Sequence, residues 1–115
     1  MNRDPKFFLN DILESIDRIE AYTKGLTEEG FENDDEAKDA VLRRLSVIGE
    51  ATKNIPSRIK EENREVPWKL MSGLRDVLVH EYFGVRNDTI WRTLKEDLPG
   101  VKKQVKAILD SLSKR

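Results

Sequence analysis

The stretch AKDAVLRRLSVIGEATKNI, residues 37–55, is apolar on two sides of a single helix. Its larger residues recur every three or four positions, as on one helix face: Val41, Leu45, Ile48, Thr52 and Ile55. A second face carries smaller residues: Ala37, Ala40, Val47 and Ala51. Because a helix that is apolar on two sides packs on two sides, we predict neighbours on both flanks. Pro56 is expected to end or kink this helix.

The residues before this stretch also have apolar side chains at helical spacing. A first helix is predicted with Asp4 as its cap and Pro5 as its first helical position. Its apolar stripe consists of Phe8, Ile12, Ile16, Ile19, Thr23 and Leu26. Glu29, Gly30 and Asn33 break the pattern. The acidic residues 34–36 then place negative charge at the electropositive start of the next helix.

Three more helices are predicted after a short helical turn and loop over residues 57–66. The third has the core stripe Leu70, Leu74, Val77 and Leu78, with Met71 at its edge. The fourth starts near Asn87 or Asp88 and carries Ile90, Trp91 and Leu94. The last starts near Pro99 and carries Val101, Val105, Ile108 and Leu112. No strand alternation occurs, so we predict one all-α domain, residues 1–115, folded as an up-and-down bundle of four to five helices.

The composition narrows the class of protein. A chain of 115 residues leaves little room for a second domain, and the absence of cysteine excludes disulfides and thiolate metal sites. No apolar run approaches the ~20 residues of a membrane span. We therefore expect a cytoplasmic protein without membrane association. The net charge of −1 argues against a generally basic nucleic-acid binder.

The charges are nevertheless distributed unevenly. Residues 1–42 carry 5 basic and 12 acidic side chains, whereas residues 43–75 carry 8 basic and 4 acidic ones. A polyanion would have to dock on a local patch of the second stretch, where Arg43, Arg44 and Lys53 are candidate RNA contacts. The alternative is that these side chains belong to solvated helix faces.

The segment LRDVLVHEYF, residues 74–83, holds the single histidine of the chain. His80 follows Arg75 by five positions and precedes Tyr82 by two. With Leu74 at the centre of the buried face and about 100° per residue, Arg75 falls on the flank and His80 on the far side. If the helix ends near His80, then Tyr82 shares its face. The spacing therefore predicts Arg75, His80 and Tyr82 at one surface.

These residue types suit phosphodiester chemistry. His80 can act as base or acid in metal-independent RNA cleavage, and Arg75 can neutralise the charge of the transition state. Asp76, one turn before His80, can orient the imidazole. Because the chain has one histidine, the acid and the base cannot both be histidines of one protomer. A two-fold homodimer would bring two copies of His80 and Arg75 into one cleft.

The spacing Arg-x4-His-x-Tyr resembles the signature of HepT-type toxins, ribonucleases of the HEPN superfamily. The segment LSVIGEA at residues 45–51, Trp68 before the motif, and Asp97-Leu98-Pro99 are similar to segments of that family. The resemblance implies a homodimeric endoribonuclease toxin of a type VII toxin–antitoxin pair, with transfer RNA as the suggested target. It also implies that an MntA-type nucleotidyltransferase antitoxin silences the toxin by AMPylation of Tyr82, which places phosphates beside His80 and Arg75.

Two other functions stay open. The bundle could be a non-catalytic partner that binds nucleotide or substrate for a nucleotidyltransferase, or it could be a helical dimerisation scaffold. Growth arrest on expression, relieved by Arg75→Ala or His80→Ala, would favour the enzyme. The acidic residues 34–36 are better explained as helix caps than as a metal site. Trp68 and Trp91 fit core or interface positions better than base-stacking platforms. We expect no cofactor and no metal.

Overall fold

The computed structural model describes residues 3–77 and 87–114, and its regular elements are helical. They are α1 (Pro5–Thr23), α2 (Glu28–Glu32), α3 (Asp35–Lys53), α4 (Ser57–Glu62), α5 (Trp68–Gly73), a 3-10 turn (Leu74–Asp76), α6 (Asn87–Arg92), a π-helical turn (Thr93–Asp97) and α7 (Leu98–Ser113). The predicted all-α bundle is confirmed. The homodimer and the single domain stay predictions. Among the described residues, no helix combines the length and apolar character needed to span a bilayer.

The helix α3 occupies the middle of the bundle. It packs against α1 on one side and against α5 and the 3-10 turn on the other, and α7 packs on α1. Val41, Leu45 and Ile48 are fully buried, and Ala51 on the smaller-residue face is also buried. The predicted helix with neighbours on two sides is therefore confirmed, although it ends at Lys53 and the predicted face residue Ile55 lies beyond it.

Local capping fixes where these helices begin. The Asp4 side chain accepts a hydrogen bond of 2.9 Å from the backbone N–H of Lys6, and Pro5 is the first residue of α1. The Asp34 side chain accepts one of 2.9 Å from the backbone N–H of Ala37 at the start of α3. Such caps satisfy backbone donors that have no partner inside the helix. The predicted role of the acidic residues 34–36 is confirmed, because Asp34 caps α3 and Asp35 and Glu36 lie in its first turn.

The interval between α1 and α3 contains a helix that the sequence did not predict. The Thr27 hydroxyl accepts a hydrogen bond of 3.0 Å from the backbone N–H of Gly30 and so caps α2. Phe31 in α2 is fully buried, with its ring centroid 5.3 Å from that of Trp91. The prediction that Glu29 and Gly30 only break the pattern is wrong, because a cap and one buried aromatic ring stabilise this short turn of helix.

The phase of the third predicted helix also differs. Met71, expected at the edge, is fully buried, whereas Leu70, expected in the core, is 39% exposed. The helix α5 has only six residues, and the chain then tightens into the 3-10 turn. The residues that face the core are Met71, Leu74 and Val77, spaced three positions apart as a 3-10 turn favours, and Leu70 is not among them. The core position in this helix belongs to Met71.

Unfolding experiments can test whether Met71, and not Leu70, occupies the core. Met71→Ala leaves a cavity in the core and is expected to lower the free energy of unfolding by about 2–5 kcal/mol. Leu70→Ala, the matched control on the same helix, is expected to change it by less than about 1 kcal/mol because its side chain is largely in water. Urea denaturation followed by circular dichroism measures both. A larger loss for Leu70→Ala would contradict this assignment of the core.

Candidate active site at the contact between α3 and Arg75

The backbone of Arg75 lies directly on α3 at Gly49. A Cβ atom added to Gly49 would lie 2.6 Å from the Arg75 Cα and 2.8 Å from its Cβ, closer than side-chain atoms tolerate. The Arg75 backbone nitrogen would lie closer still. A glycine in a helix interior weakens the helix, so its presence here is explained by the close approach of another backbone segment.

A hydrogen bond holds the same segment from the neighbouring turn of α3. The Ser46 hydroxyl donates to the backbone carbonyl of Arg75 at 3.2 Å. Gly49 and Glu50 follow Ser46 by three and four positions, so the three residues lie on one face of α3. This face, which we call the Arg75 face, fixes where the backbone of Arg75 sits.

The Arg75 side chain is held by one of its three nitrogens. Its Nε lies 3.3 Å from the Glu50 Oε2, and the two side chains are 47% and 61% exposed. Within the described part of the chain, the terminal nitrogens Nη1 and Nη2 have no carboxylate partner. They form the edge of the guanidinium that binds phosphate through two hydrogen bonds. Arg75 is therefore positioned and still open to an anion.

Two of the three candidate RNA contacts lie on the Arg75 face. At about 100° per residue, Arg43 falls within about 60° of Ser46 around the helix axis, and Lys53 within about 20°. Both side chains are exposed. They lie along α3 on either side of the contact with Arg75. The face therefore carries a line of positive charge, interrupted beside Arg75 by the exposed carboxylate of Glu50.

Arg44 points elsewhere. It falls about 160° from Ser46 around the axis, and its Nη2 and Nε donate to the Ser15 hydroxyl in α1 at 2.7 and 3.2 Å. Ser15 is fully buried, and Arg44 is half-buried. Arg44 links α1 to α3 and is not brought together with Arg75.

The remaining predicted site residues divide into two groups. Asp76 is exposed in the 3-10 turn, next to Arg75. His80 and Tyr82 lie outside the described residues, so their predicted place beside Arg75 stays a prediction.

Trp68 is partly buried and donates from its indole N–H to the carbonyl of Asn63 at 2.9 Å, so its predicted packing role is confirmed. Among residues 3–77 and 87–114, no three His, Cys, Asp or Glu side chains gather as a metal site.

The sequence did not identify Ser46, Gly49 and Glu50 as the residues that hold Arg75. A signal was present, since a glycine stands inside an otherwise strongly helical stretch, with polar residues three positions before and one after it. An isolated glycine at such a place often marks close packing of another segment. Its partner could not be read from the sequence, because the contact joins residues 29 positions apart.

The close approach predicts a sharp difference between two glycines. Gly49→Ala would force α3 and the 3-10 turn apart and is expected to destabilise the protein by about 1–3 kcal/mol. Gly100→Ala in α7 is the matched control, because a Cβ there meets nothing within 4 Å. The control should be neutral or stabilising by up to about 1 kcal/mol. Thermal unfolding of both variants measures this difference in stability. Equal melting temperatures for Gly49→Ala and Gly100→Ala would contradict the close contact at Gly49.

Known proteins resemble this chain along most of its length. The family described as "Ribonuclease HepT-like" matches residues 12–108. The "Probable ribonuclease HepT" of Thermococcus cleftensis is 45% identical over 102 residues, which cover 89% of this chain and 93% of that protein. A "Putative RNase" of Methanocaldococcus jannaschii is 46% identical over 110 residues, covering 96% and 91% of the two chains. No solved structure matches.

A longer relative has the same similarity over part of its length. The "Gamma-glutamylcyclotransferase and putative RNase" of Methanocaldococcus jannaschii is 43% identical over 114 residues. The match covers 99% of this chain but only 51% of that protein, so the chain spans about half of this relative. Together with the family match, these identities confirm the predicted HepT-type resemblance and the predicted class of enzyme, a ribonuclease. The chain belongs to the HepT-like ribonuclease family.

Proposed function

We propose that this protein is a metal-independent endoribonuclease that acts as a homodimer and serves as the toxin of a type VII toxin–antitoxin pair. The observation that carries the proposal is the state of Arg75. Its backbone is fixed on α3 by Gly49 and Ser46, its side chain is 47% exposed, and its terminal nitrogens have no carboxylate partner among the described residues. Membership of the HepT-like ribonuclease family supports RNA as the polyanion that it binds.

The proposed reaction is an internal transfer within the RNA backbone. The 2′-oxygen attacks the phosphorus, the bond to the 5′-oxygen breaks, and the upstream fragment ends in a 2′,3′-cyclic phosphate. A base removes the proton of the 2′-hydroxyl, and an acid delivers a proton to the leaving 5′-oxygen. Arg75 donates two hydrogen bonds to the non-bridging oxygens, whose negative charge increases in the transition state.

His80 is the proposed base or acid, and Asp76 is the proposed group that orients its imidazole. Each chain has one histidine, so the second proton-transfer group has to come from elsewhere. A two-fold homodimer supplies it, because the two copies of His80 and Arg75 then share one cleft. This requirement is the chemical argument for the dimer.

Regulation is proposed to act on Tyr82. An MntA-like nucleotidyltransferase antitoxin would transfer AMP from ATP to the Tyr82 hydroxyl, forming the phosphodiester and releasing pyrophosphate. The added phosphate brings negative charge to the neighbourhood of Arg75 and so competes with an RNA backbone by repulsion and bulk. Transfer RNA is the proposed target.

The cleavage reaction can be tested with purified protein free of any partner, incubated with total RNA in EDTA. We expect wild-type protein to release fragments with 2′,3′-cyclic phosphate ends. Arg75→Ala and His80→Ala should each reduce the rate by at least about 100-fold. Arg18→Ala is a matched control, since Arg18 is similarly exposed, at 52%, and also pairs with one carboxylate, that of Glu14 at 2.9 Å. The control should cleave at the wild-type rate.

Two results would overturn this proposal. Products with 3′-hydroxyl ends would mean a different chemistry. Wild-type protein that does not cleave, with Tyr82 shown by mass spectrometry to be unmodified, would mean a non-catalytic binding partner. Size-exclusion chromatography with light scattering tests the homodimer in the same preparation.

The ion pair with Glu50 makes a separate prediction. Glu50→Gln removes the negative charge beside Nε, so the guanidinium is oriented less well, and cleavage is expected to fall about 3- to 30-fold. Stability should change by less than about 1 kcal/mol, because ion pairs between exposed groups contribute little. Glu14→Gln, which removes the partner of Arg18, should leave cleavage unchanged. Equal rates for Glu50→Gln and wild type would show that Arg75 does not depend on this contact.

A further inference from the structure

A second pair of cations lies at the C-terminal end of the Arg75 face. α3 ends at Lys53, and Pro56 then caps α4, which carries Lys60. Ile55 and Ile59 are buried on either side of this turn and anchor it to the core. Lys60 is half-buried, and it lies close enough to Lys53 for the two positive charges to repel each other.

Neither ammonium group is neutralised within the described part of the chain. No carboxylate in residues 3–77 or 87–114 lies within 4.0 Å of Lys53 or Lys60. Lys102 is the contrasting case, with carboxylate oxygens of Glu20 and Asp17 at 2.9 and 3.0 Å. A lysine that is partly removed from water normally acquires such a partner, so the half-buried Lys60 stands out beside the exposed Lys53.

The surroundings of Lys60 disfavour its charge. Burial lowers the pKa of its ammonium group from the ordinary value of 10.5, and the charge of Lys53 lowers it further. At Lys102 the hydrogen bonds that its ammonium group donates to Glu20 and Asp17 have the opposite effect and raise its pKa. An anion that contacts both Lys53 and Lys60 would supply the missing negative charge and reverse the direction at Lys60.

The pair continues the line of charge that passes Arg75. Lys53 lies one helical turn beyond Gly49, about 6 Å along the axis at 1.5 Å per residue, and on the same face. Arg43 lies about 9 Å from Gly49 in the other direction. A strand that ran along α3 with one phosphate at Arg75 would meet Arg43 on one side and Lys53 on the other, and Lys60 interacts with Lys53 there.

We propose that Lys53 and Lys60 form a phosphate-binding subsite that holds the RNA backbone on one side of the phosphate held by Arg75. The inference rests on the proposed ribonuclease function and extends it, because it assigns Lys60 a role in substrate binding. The subsite recognises phosphate and not bases, since ammonium groups act as point charges and carry no sequence information. It sets where the strand lies relative to the reacting bond.

The test separates binding from cleavage. A short fluorescent RNA carrying 2′-O-methyl groups cannot be cleaved by attack of the 2′-oxygen, so its dissociation constant can be measured by anisotropy over a range of salt concentrations. Lys60→Gln is expected to weaken binding about 3- to 10-fold and to reduce the salt slope by about 0.7, the value for one phosphate contact on a single strand. Lys60→Arg, which keeps the charge, should restore most of the affinity.

Lys102→Gln is the control for the loss of one positive charge. Its ammonium group is already paired with Glu20 and Asp17, so this variant should bind the RNA like wild type. A carbon-13 NMR titration of the Lys60 side chain adds a second readout. Its pKa should rise when the RNA binds, which a purely structural lysine would not show. Circular dichroism verifies that each variant is folded.

The outcomes are distinct. If Lys60→Gln binds with the wild-type affinity and salt slope, the subsite does not exist, although the ribonuclease proposal stands. An equal loss in Lys102→Gln would show a general charge effect and would also overturn the subsite. If wild-type protein neither binds the RNA analogue nor cleaves RNA, the proposed function itself fails.

Discussion

The close approach of two backbones, at Gly49 in α3 and at Arg75 after α5, is the constraint on which the rest of the structure depends. It requires a residue without a side chain near the C-terminal end of α3, a helix in the middle of the bundle. It also requires the chain to tighten into a 3-10 turn at Leu74–Asp76 so that its carbonyl meets Ser46. The helix loses some intrinsic stability through the glycine, and the packing that the glycine permits offsets this loss. The same contact thus stabilises the fold and positions Arg75 in the candidate site.

Sequence periodicity predicted the long helices well. α1, α3 and α7 repeat their apolar residues over four or more turns, so the buried face is defined many times over. Periodicity did not predict the short elements α2 and α5 correctly. α2 offers only Phe31 as an apolar residue, and α5 is too short to define its phase before the 3-10 turn changes the angle between residues. In such elements tertiary packing decides the conformation, and a local pattern cannot reveal it.

In the candidate site, too, local sequence features could be predicted and contacts between distant residues could not. Arg75 and Asp76 could be named as candidates from residue type and spacing, because phosphate chemistry narrows the choice of side chains. The orientation of Arg44 could not be found, since it follows from a hydrogen bond with Ser15 in another helix. The roles of Ser46 and Glu50 were missed for the same reason. Residue chemistry names candidates, but three-dimensional contacts decide which of them act together.

The sequence distance across the Arg75 contact has a consequence for how the protein folds. Ser46 and Arg75 are 29 residues apart, and so are Ser15 and Arg44, so both links close long loops and require α1, α3 and the segment after α5 to be in place together. Contacts of this kind are slow to form because the entropy of loop closure opposes them. A nascent or partly unfolded chain therefore lacks the positioned guanidinium. The activity proposed for Arg75 is therefore a property of the folded bundle and not of the segment after α5 by itself.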